Sequence, residues 1–261
     1  MSRAAAIPRV DLNCDMGEGS AADADLMPLI TSASIACGGH AGDEGTMRRT
    51  VQLAVAHGVD VGAHPSYPDR AGFGRRAISM TASQVRREAE AQIRALQSVA
   101  AAAGTSLQHV KPHGALYNQA ASDRELAAAI GEAVLQLDPS LIMVVLAGST
   151  EVTVLRQMGL RVAQEAFIDR AYMPDGSLVA RENAAALIAD WELAAHRAVR
   201  LVRDRLLTAI DGTTLEIHAD TLCIHSDTPG SVALAHAVRA ALLEAGVVIA
   251  PLRAVLPRPV S

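Results

Sequence analysis

Aromatic residues are nearly absent from this sequence: phenylalanine, tyrosine and tryptophan together make up 2% of its 261 residues, although 50% of the chain is hydrophobic. The core must therefore be built from alanine, valine, leucine and isoleucine. A surface that binds nucleic acid by stacking bases on aromatic rings is excluded. The formal net charge is −5 and no basic patch is visible, so we expect no nucleic-acid partner.

Cysteine is also scarce, with three widely spaced residues at Cys14, Cys37 and Cys223. Their odd number and spacing fit neither a disulfide framework nor a CxxC zinc site, and are typical of a reducing compartment. No apolar run reaches the length that a membrane-spanning helix needs, and the first residues lack a secretory signal pattern. The sequence therefore predicts a soluble cytoplasmic protein with no membrane partner.

Lysine occurs once, as Lys111, among 23 lysines and arginines. An ammonium group is compact, whereas a guanidinium is a planar fork, so the two are not interchangeable at a buried site. On the inner face of a strand this lysine needs a carboxylate partner. Three carboxylates are candidates for that partner: Asp11, Asp15 and Glu165.

Two phosphate-binding patterns are missing: no GxGxxG follows the first apolar run, and no GxxxxGK[ST] occurs. Instead, short β-branched runs each precede a longer helical pattern, which predicts parallel strands joined by helical crossovers. The runs cover 10–15, 30–37, 58–64, 107–113, 141–148, 161–167 and 221–227. Because the motifs of an open nucleotide-binding sheet are absent, we predict an α/β fold with a distorted seven-stranded parallel β/α barrel. We expect one domain over 1–261, with a small hairpin insertion near 209–220.

Helical patterns separate these runs. They cover 43–57, 81–103, 122–137, 150–158, 183–206 and 229–245. Thr81 with Gln84, and Ser122 with Glu125, have the spacing of capping boxes, in which a hydroxyl and an acid or amide satisfy the first free backbone N–H groups. These pairs predict where two of the crossover helices begin.

Ionisable residues collect where the predicted strands end. These residues are Asp15 and Glu18, His40, His64, Lys111 and His113, Glu165, Asp169 and Arg170, and His225 and Asp227. In parallel β/α folds the active site is built at this end of the strands. Side chains two residues apart share a strand face, so Asn13 lies with Asp15, and His113 with Lys111. Converging carboxylates and imidazoles are what acid–base chemistry or metal binding requires.

A loop rich in glycine and proline, HPSYPDRAGFGRR at 64–76, follows one of these strand ends. Gly72 and Gly74 allow close packing of the chain. Its arginines, Arg70, Arg75 and Arg76, are suited to clamp a carboxylate or a phosphate, because a guanidinium donates two parallel hydrogen bonds. The loop is therefore a candidate wall of the site.

Six motifs stand in order along the chain: DLNCDMGEGS, CGGHAGD, GAHPSYPDRAGFGRR, HVKPHGALYN, EAFIDRAY and HSDTPGSV. Together they resemble the LamB/YcsF family of 5-oxoprolinase A subunits over nearly the whole chain. The resemblance implies a barrel related to the polysaccharide deacetylase superfamily. It also implies a hydrolase activity: ATP-dependent opening of the lactam 5-oxo-L-proline to L-glutamate, together with partner subunits B and C.

We expect a catalytic set of Asp15, His64, Lys111, His113 and Glu165. Asp15 and Glu165 are candidate bases, His64 and His113 are candidate acids, and Lys111 is expected to hold the substrate carboxylate. The expected substrate-binding residues are Asn13, His40, Arg75, Asp169, Arg170, His225 and Asp227. Because no ATP motif is recognisable, we hypothesise that the partner subunits bind ATP or make a phosphorylated intermediate.

Two other functions fit the same residues. One is a metal-dependent amide or carbohydrate deacetylase, in which Asp15, His64 and His113 would supply three ligands beside a water. His109 and His113 are too far apart along a strand to bind one ion. The other is a non-catalytic regulatory protein that binds a small carboxylate. Metal analysis separates the first function from lactam opening, and turnover with partner subunits separates the second.

Overall fold

A computed structural model describes residues 7–188 and 190–256; residues 1–6, 189 and 257–261 of the predicted domain lie outside the described residues. The described strands are β1 (Arg9–Met16), β2 (Ser32–Ala36), β3 (Asp60–His64), β4 (Leu107–Val110), β5 (Ile142–Leu146), β6 (Arg161–Phe167), β7 (Leu206–Thr208), β8 (Thr214–Glu216), β9 (Thr221–His225) and β10 (Val248–Ile249). Strands β1 to β6 and β9 pair in parallel and form a closed barrel. The predicted seven-stranded β/α barrel is confirmed.

The barrel closes because β9 pairs in parallel with both β6 and β1. Glu165 lies opposite Thr221 on one side of β9, and Asp15 lies opposite His225 on the other. The short strand β10 pairs only with the start of β1. Since all seven barrel strands run in one direction, their C-terminal ends surround a single mouth, where the predicted site residues were placed.

Helices cover the outside of the barrel. They are α1 (Asp23–Leu26), α2 (Glu44–His57), α3 (Ala82–Ala102), α4 (Gly114–Ala120), α5 (Arg124–Leu137), α6 (Thr150–Gln157), α7 (Trp191–Asp204), α8 (Ser231–Glu244) and α9 (Leu252–Val255). The predicted capping box of Thr81 and Gln84 begins α3 and is confirmed. Among the residues described, no helix combines the length and the hydropathy needed to cross a membrane.

Two predicted helix starts are wrong. Helix α5 is capped by Asp123 and not by Ser122, because the Asp123 carboxylate accepts the first free backbone N–H groups of the helix. Helix α7 begins at Trp191 rather than at residue 183. The residues before α7 instead run alongside the segment that comes after β6, where Leu187 forms an antiparallel bridge with Arg170. This part of the chain therefore lies over the mouth of the barrel.

Strand β1 separates apolar from polar side chains. Leu12, Cys14 and Met16 belong to the apolar layer beneath the helices. Asp11 and Asn13 alternate with them, are fully or almost fully buried, and bond to polar groups in other strands or beside their ends. The lumen is thus a packed polar network, while the hydrophobic core forms a shell around the barrel.

Strands β7 and β8 form a separate antiparallel pair, with Leu206 opposite Glu216. The connecting turn contains Asp211 and Gly212, and Gly212 has a φ of 91°, which glycine adopts without steric cost. The hairpin therefore spans 206–216 and not the predicted 209–220, because its first strand lies before residue 209. Strand β7 packs beside α7.

Candidate active site

The single lysine lies at the base of the site, between two carboxylates from different strands. Lys111 Nζ is 2.8 Å from Asp15 Oδ1 and 2.8 Å from Glu165 Oε1. It also contacts Asn13 Oδ1 at 3.1 Å and Cys223 Sγ at 3.2 Å. An ammonium has only three protons to donate, so these contacts occupy all of them. A compact, fully enclosed cation explains why this position is lysine in a chain that otherwise uses arginine.

This ion cluster fixes the charge of its members. Burial opposes ionisation of Asp15, but His64 and the Lys111 ammonium outweigh it and hold the pKa of Asp15 well below its usual range. Burial likewise opposes charge on Lys111, yet Asp15 and Glu165 raise its pKa well above the usual value. Asp15 is therefore an ionised carboxylate at the cavity wall, although its side chain is only 8% exposed.

Three imidazoles surround the carboxylate of Glu18. Glu18 Oε1 is 2.7 Å from His40 Nε2, 3.3 Å from His113 Nδ1 and 3.7 Å from His64 Nε2. His64 Nε2 in turn lies 3.3 Å from Asp15 Oδ2. Glu18 was noted as a strand-end acid in the sequence but received no role there. The geometry makes it the centre of the histidine cluster.

The loop before α3 packs directly on these histidines. Phe73 has a φ of 54°, which is uncommon for a residue other than glycine. Its carbonyl accepts a hydrogen bond from His113 Nε2 at 2.9 Å. At Gly74 a Cβ would come within 2.9 Å of His40 Cβ and 3.0 Å of His113 Cδ2. The Phe-Gly pair of this motif thus lets the backbone approach the imidazoles and orient one of them.

A second histidine is held by an acid on the opposite wall. His225 Nδ1 is 2.8 Å from Asp169 Oδ2, and the ring stacks on Phe167 with centroids 5.3 Å apart. Burial opposes ionisation of Asp169, but His225 holds the pKa of the carboxyl below its usual value. An aspartate bonded to one ring nitrogen leaves the other nitrogen available to a substrate, which is the arrangement of an acid–base dyad.

Arginines gather at the mouth. Arg75 forms a 2.6 Å ion pair with Asp227, and Arg181 lies 3.6 Å from the same carboxylate. Arg170 is buried and donates to the carbonyl of Val179 at 2.6 Å. Asp227 lies between two of these guanidinium groups, and Glu182 also lines the cavity beside them, so three arginines face two carboxylates. This excess of positive charge suits an anionic ligand.

The strand ends enclose a cavity of about 270 Å³. Eight predicted site residues line it: Asp15, His64, Arg75, Lys111, His113, Arg170, His225 and Asp227. The other four lie behind this wall and contact residues that line it: Asn13 and Glu165 contact Lys111, Asp169 contacts His225, and His40 stacks on His113. The mouth of the barrel therefore brings together all twelve.

Sequence reasoning gave no role to several residues of the cavity. Glu18, Tyr117 and Arg181 line it, and Cys223 touches Lys111 behind it. Glu18 had a usable signal, because it follows Asp15 at the end of the first strand. Arg181 had none, since it lies just before a segment with a helical pattern that the structure forms as turns.

Two groups of described residues place potential metal ligands within 4.8 Å of one another. The first is Glu18, His40, His64 and His113, and the second is Asp15, Cys223 and His225. The second group surrounds the Lys111 ammonium, which already supplies a positive charge at 2.8 Å from Asp15 and 3.2 Å from Cys223. No hydrogen bond or ion pair described for the first group involves the side chain of a lysine or an arginine. It is therefore the better candidate for a metal.

Comparison with known proteins places this geometry in context. The chain is 50% identical over 246 residues to the A subunit of 5-oxoprolinase from Heliobacterium modesticaldum, covering 92% of this chain and 97% of that protein. The crystal structure of the lactam utilization protein from Thermus thermophilus has 46% sequence identity and a TM-score of 0.87, covering 93% and 99% of the two chains. A T48 deacetylase in complex with substrate shares the fold alone, with 15% identity, a TM-score of 0.50 and coverage of 98% and 94%.

The resemblance noted in the sequence is confirmed at the level of the family. The model of the LamB/YcsF family matches residues 10–257, which include every strand of the barrel except the first residue of β1 and every residue of the predicted site. The chain belongs to the LamB/YcsF family.

Proposed function

We propose that this chain is the A subunit of an ATP-dependent 5-oxoprolinase and that its cavity opens the lactam 5-oxo-L-proline to L-glutamate. The observation that carries the proposal is the end-to-end similarity, at 50% identity, to a 5-oxoprolinase A subunit. The geometry agrees with it, because an ionised aspartate and an Asp–His pair face a small cavity with a cationic entrance. A cavity of about 270 Å³ suits a substrate the size of one amino acid.

The substrate carries one carboxylate, and the arginines of the mouth are its natural partners. Arg75, Arg170 and Arg181 line the entrance, and guanidinium groups bind carboxylates through paired hydrogen bonds. Lys111 is less suited to this task than the sequence indicates, because Asp15 and Glu165 already neutralise it. We assign it instead to keeping Asp15 ionised, with Glu165 and Asn13 positioning the ammonium.

Ring opening needs a base for the attacking water and an acid for the leaving nitrogen. Asp15 is the base: its carboxylate lies at the cavity wall and is held in the ionised form. His225 is the acid, since Asp169 accepts from its Nδ1, orients the ring and leaves its other nitrogen free for the substrate. The water oxygen bonds to the lactam carbon, its proton passes to Asp15, the carbon–nitrogen bond breaks, and the nitrogen takes a proton from His225.

ATP makes this reaction feasible by activating an unreactive amide. Phosphorylation of the amide oxygen by ATP makes the ring carbon more electrophilic. After water has attacked that carbon and the carbon–nitrogen bond has broken, the carbon still carries the phosphate as an acyl phosphate, and a second water releases the phosphate and leaves the side-chain carboxylate of glutamate. The chain carries neither phosphate-binding sequence motif. We therefore assign the ATP-dependent step to partner subunits, B and C, and the completion of ring opening to this cavity. The similar proteins are named as one lettered subunit of 5-oxoprolinase, which supports a multisubunit enzyme.

The test is glutamate formation from 5-oxoproline and ATP with this chain alone, with subunits B and C alone, and with all three. We expect glutamate only in the complete mixture. Glutamate from B and C alone would remove this chain from the reaction. ATP hydrolysis without glutamate formation in any mixture would mean that the cavity acts on a different amide substrate.

A further inference from the structure

Three ligand atoms face one another at the wall of the cavity: Glu18 Oε1, His64 Nε2 and His113 Nδ1. They lie 3.0 Å (His64 to His113), 3.3 Å (His113 to Glu18) and 3.7 Å (His64 to Glu18) apart. A tetrahedral zinc site with bonds of 2.0–2.1 Å needs ligand atoms about 3.3 Å apart. We infer that Glu18, His64 and His113 form a binding site for one divalent transition-metal ion, with Zn²⁺ the ion that fits best.

The hydrogen bonds behind the two imidazoles decide which nitrogens face the site. His64 Nδ1 lies 2.7 Å from the carbonyl oxygen of Lys111, and His113 Nε2 lies 2.9 Å from that of Phe73. A carbonyl oxygen only accepts, so both outer nitrogens carry hydrogen. In the neutral rings the inner nitrogens therefore bear lone pairs. Backbone carbonyls that fix the tautomer in this way are the usual outer contacts of metal-binding histidines.

Two lone pairs 3.0 Å apart, beside a carboxylate oxygen, repel one another unless a positive charge lies between them. One proton relieves only one of these contacts, because it forms a single short hydrogen bond. An ion at the centre satisfies all three atoms at once. The carbonyl of Phe73, which holds His113, belongs to a residue with a φ of 54°, and such backbone strain concentrates at functional sites.

His40 belongs to the surroundings of this site and not to its ligands. Its ring is parallel to that of His113, with an interplanar angle of 2° and centroids 3.7 Å apart. The lone pairs of two stacked rings run side by side and do not converge on one ion. His40 Nε2 instead contacts Glu18 Oε1 at 2.7 Å, and this bond orients the carboxylate.

Two histidines and one glutamate are the ligand set of several catalytic zinc sites, which keep an open fourth position. Here all three residues line the cavity, as does Asp15, whose Oδ2 lies 3.3 Å from His64 Nε2. The open position therefore faces the space that the substrate of the proposed reaction would occupy. Held by Glu18, His64 and His113, a metal would supply Lewis-acid polarisation of a substrate oxygen or a water.

The test is binding of Zn²⁺ to the purified, chelator-stripped chain, measured by calorimetry, with Co²⁺ absorption as a second readout of geometry. We expect one ion per chain and the spectrum of a four-coordinate site. Glu18→Gln, which keeps the side-chain size, and His113→Ala should each weaken binding more than about 100-fold. His40→Asn should weaken it about 10- to 100-fold, as loss of an outer-shell contact does.

Two variants serve as controls. His57→Ala removes an exposed histidine on α2 and should leave Zn²⁺ binding unchanged. His225→Asn alters the second ligand group and should also leave it unchanged. Absence of stoichiometric binding, or binding lost in His225→Asn but kept in Glu18→Gln, would overturn the site. Zn²⁺ binding without glutamate formation in any mixture would refute the proposed function and support the metal site. Glutamate formation in the complete mixture, with a chain that binds no Zn²⁺, would support the proposed function and refute the metal site.

Discussion

The two ends of the barrel lumen hold aspartates from the same face of β1 in opposite surroundings. Asp15, at the mouth, contacts an ammonium and an imidazole. Asp11, four residues earlier and fully buried, accepts hydrogen bonds from the hydroxyls of Thr31, Ser32 and Thr221 at 2.6–2.7 Å. Hydroxyls satisfy a carboxylate without supplying charge, whereas the Lys111 ammonium supplies a positive charge and His64 supplies one whenever its ring is protonated.

The difference decides the charge of each group. Burial raises the pKa of Asp11 to about 6, although the hydroxyls of Thr221, Ser32 and Thr31 oppose the rise. The pKa of Asp15 is instead held well below its usual range, because His64 and Lys111 outweigh the effect of burial. One strand face thus carries a structural carboxyl at one end and a permanently ionised one at the other. The neighbours, and not the residue type, make one end reactive.

Removing the cation of the mouth should have the largest effect. Lys111→Met leaves Asp15 and Glu165 buried without a counter-ion, so we expect a loss of about 3–5 kcal/mol in the free energy of unfolding. Turnover with the partner subunits should disappear. Urea denaturation measures the first effect. The double variant Lys111→Met/Glu165→Gln should regain part of the stability, because one uncompensated charge is removed; no recovery would mean that the ammonium does not pair with Glu165.

A matched pair of substitutions separates the two ends directly. Asp15→Asn should lower kcat about 10²- to 10⁴-fold, as loss of a general base does. Asp11→Asn makes the same chemical change on the same strand face and should leave kcat within a factor of about three, since Asp11 does not line the described cavity. Steady-state glutamate formation measures both. Equal losses in the two variants would show that the lumen acts as one unit and that Asp15 has no separate role.

The pH dependence of stability should identify Asp11 as the titrating carboxyl. Its folded-state pKa of about 6 lies above the ordinary value of 3.8, so the folded protein holds this proton more tightly than the unfolded chain. The resulting stabilisation is fully present below about pH 4 and is lost as the pH rises through 6, a change of about 3 kcal/mol. The difference in unfolding free energy between the natural chain and Asp11→Asn should fall by that amount over this range. A constant difference would contradict the shift.

The fold was predictable from sequence because each barrel strand is an apolar run followed by a helical pattern, with polar residues at its end. The partners of Lys111 were predictable only as a set of three. Asp15 and Glu165 pair with it, whereas Asp11 lies too far down the lumen and bonds to hydroxyls. That choice depends on the stagger of neighbouring strands, which pairs Asp11 with Thr221 and Asp15 with His225. Periodicity within one strand does not contain this information.

The cluster around Glu18 was missed for a related reason. Its three histidines come from separate strand ends and loops, and only the tertiary packing of neighbouring strands brings them within 3.7 Å of one carboxylate oxygen. The late start of α7 was hidden because 183–190 has a helical composition. Its bridge to Arg170 is a tertiary contact that local propensity does not express.

The smallest expected effect concerns the second acid of the mouth, Asp169. Asp169→Asn keeps an oxygen to accept from His225 Nδ1 but removes the negative charge from that hydrogen bond. We expect kcat to fall about 10-fold, because a neutral amide holds the ring in its donating position less firmly than a charged hydrogen bond does. His225→Asn should lower kcat further, because it removes the proton donor itself. An unchanged kcat in Asp169→Asn would make Asp169 a structural contact of the His225 backbone N–H, which lies 3.4 Å from its carboxylate, and would leave Asp15 as the only ionised carboxyl that the proposed reaction uses.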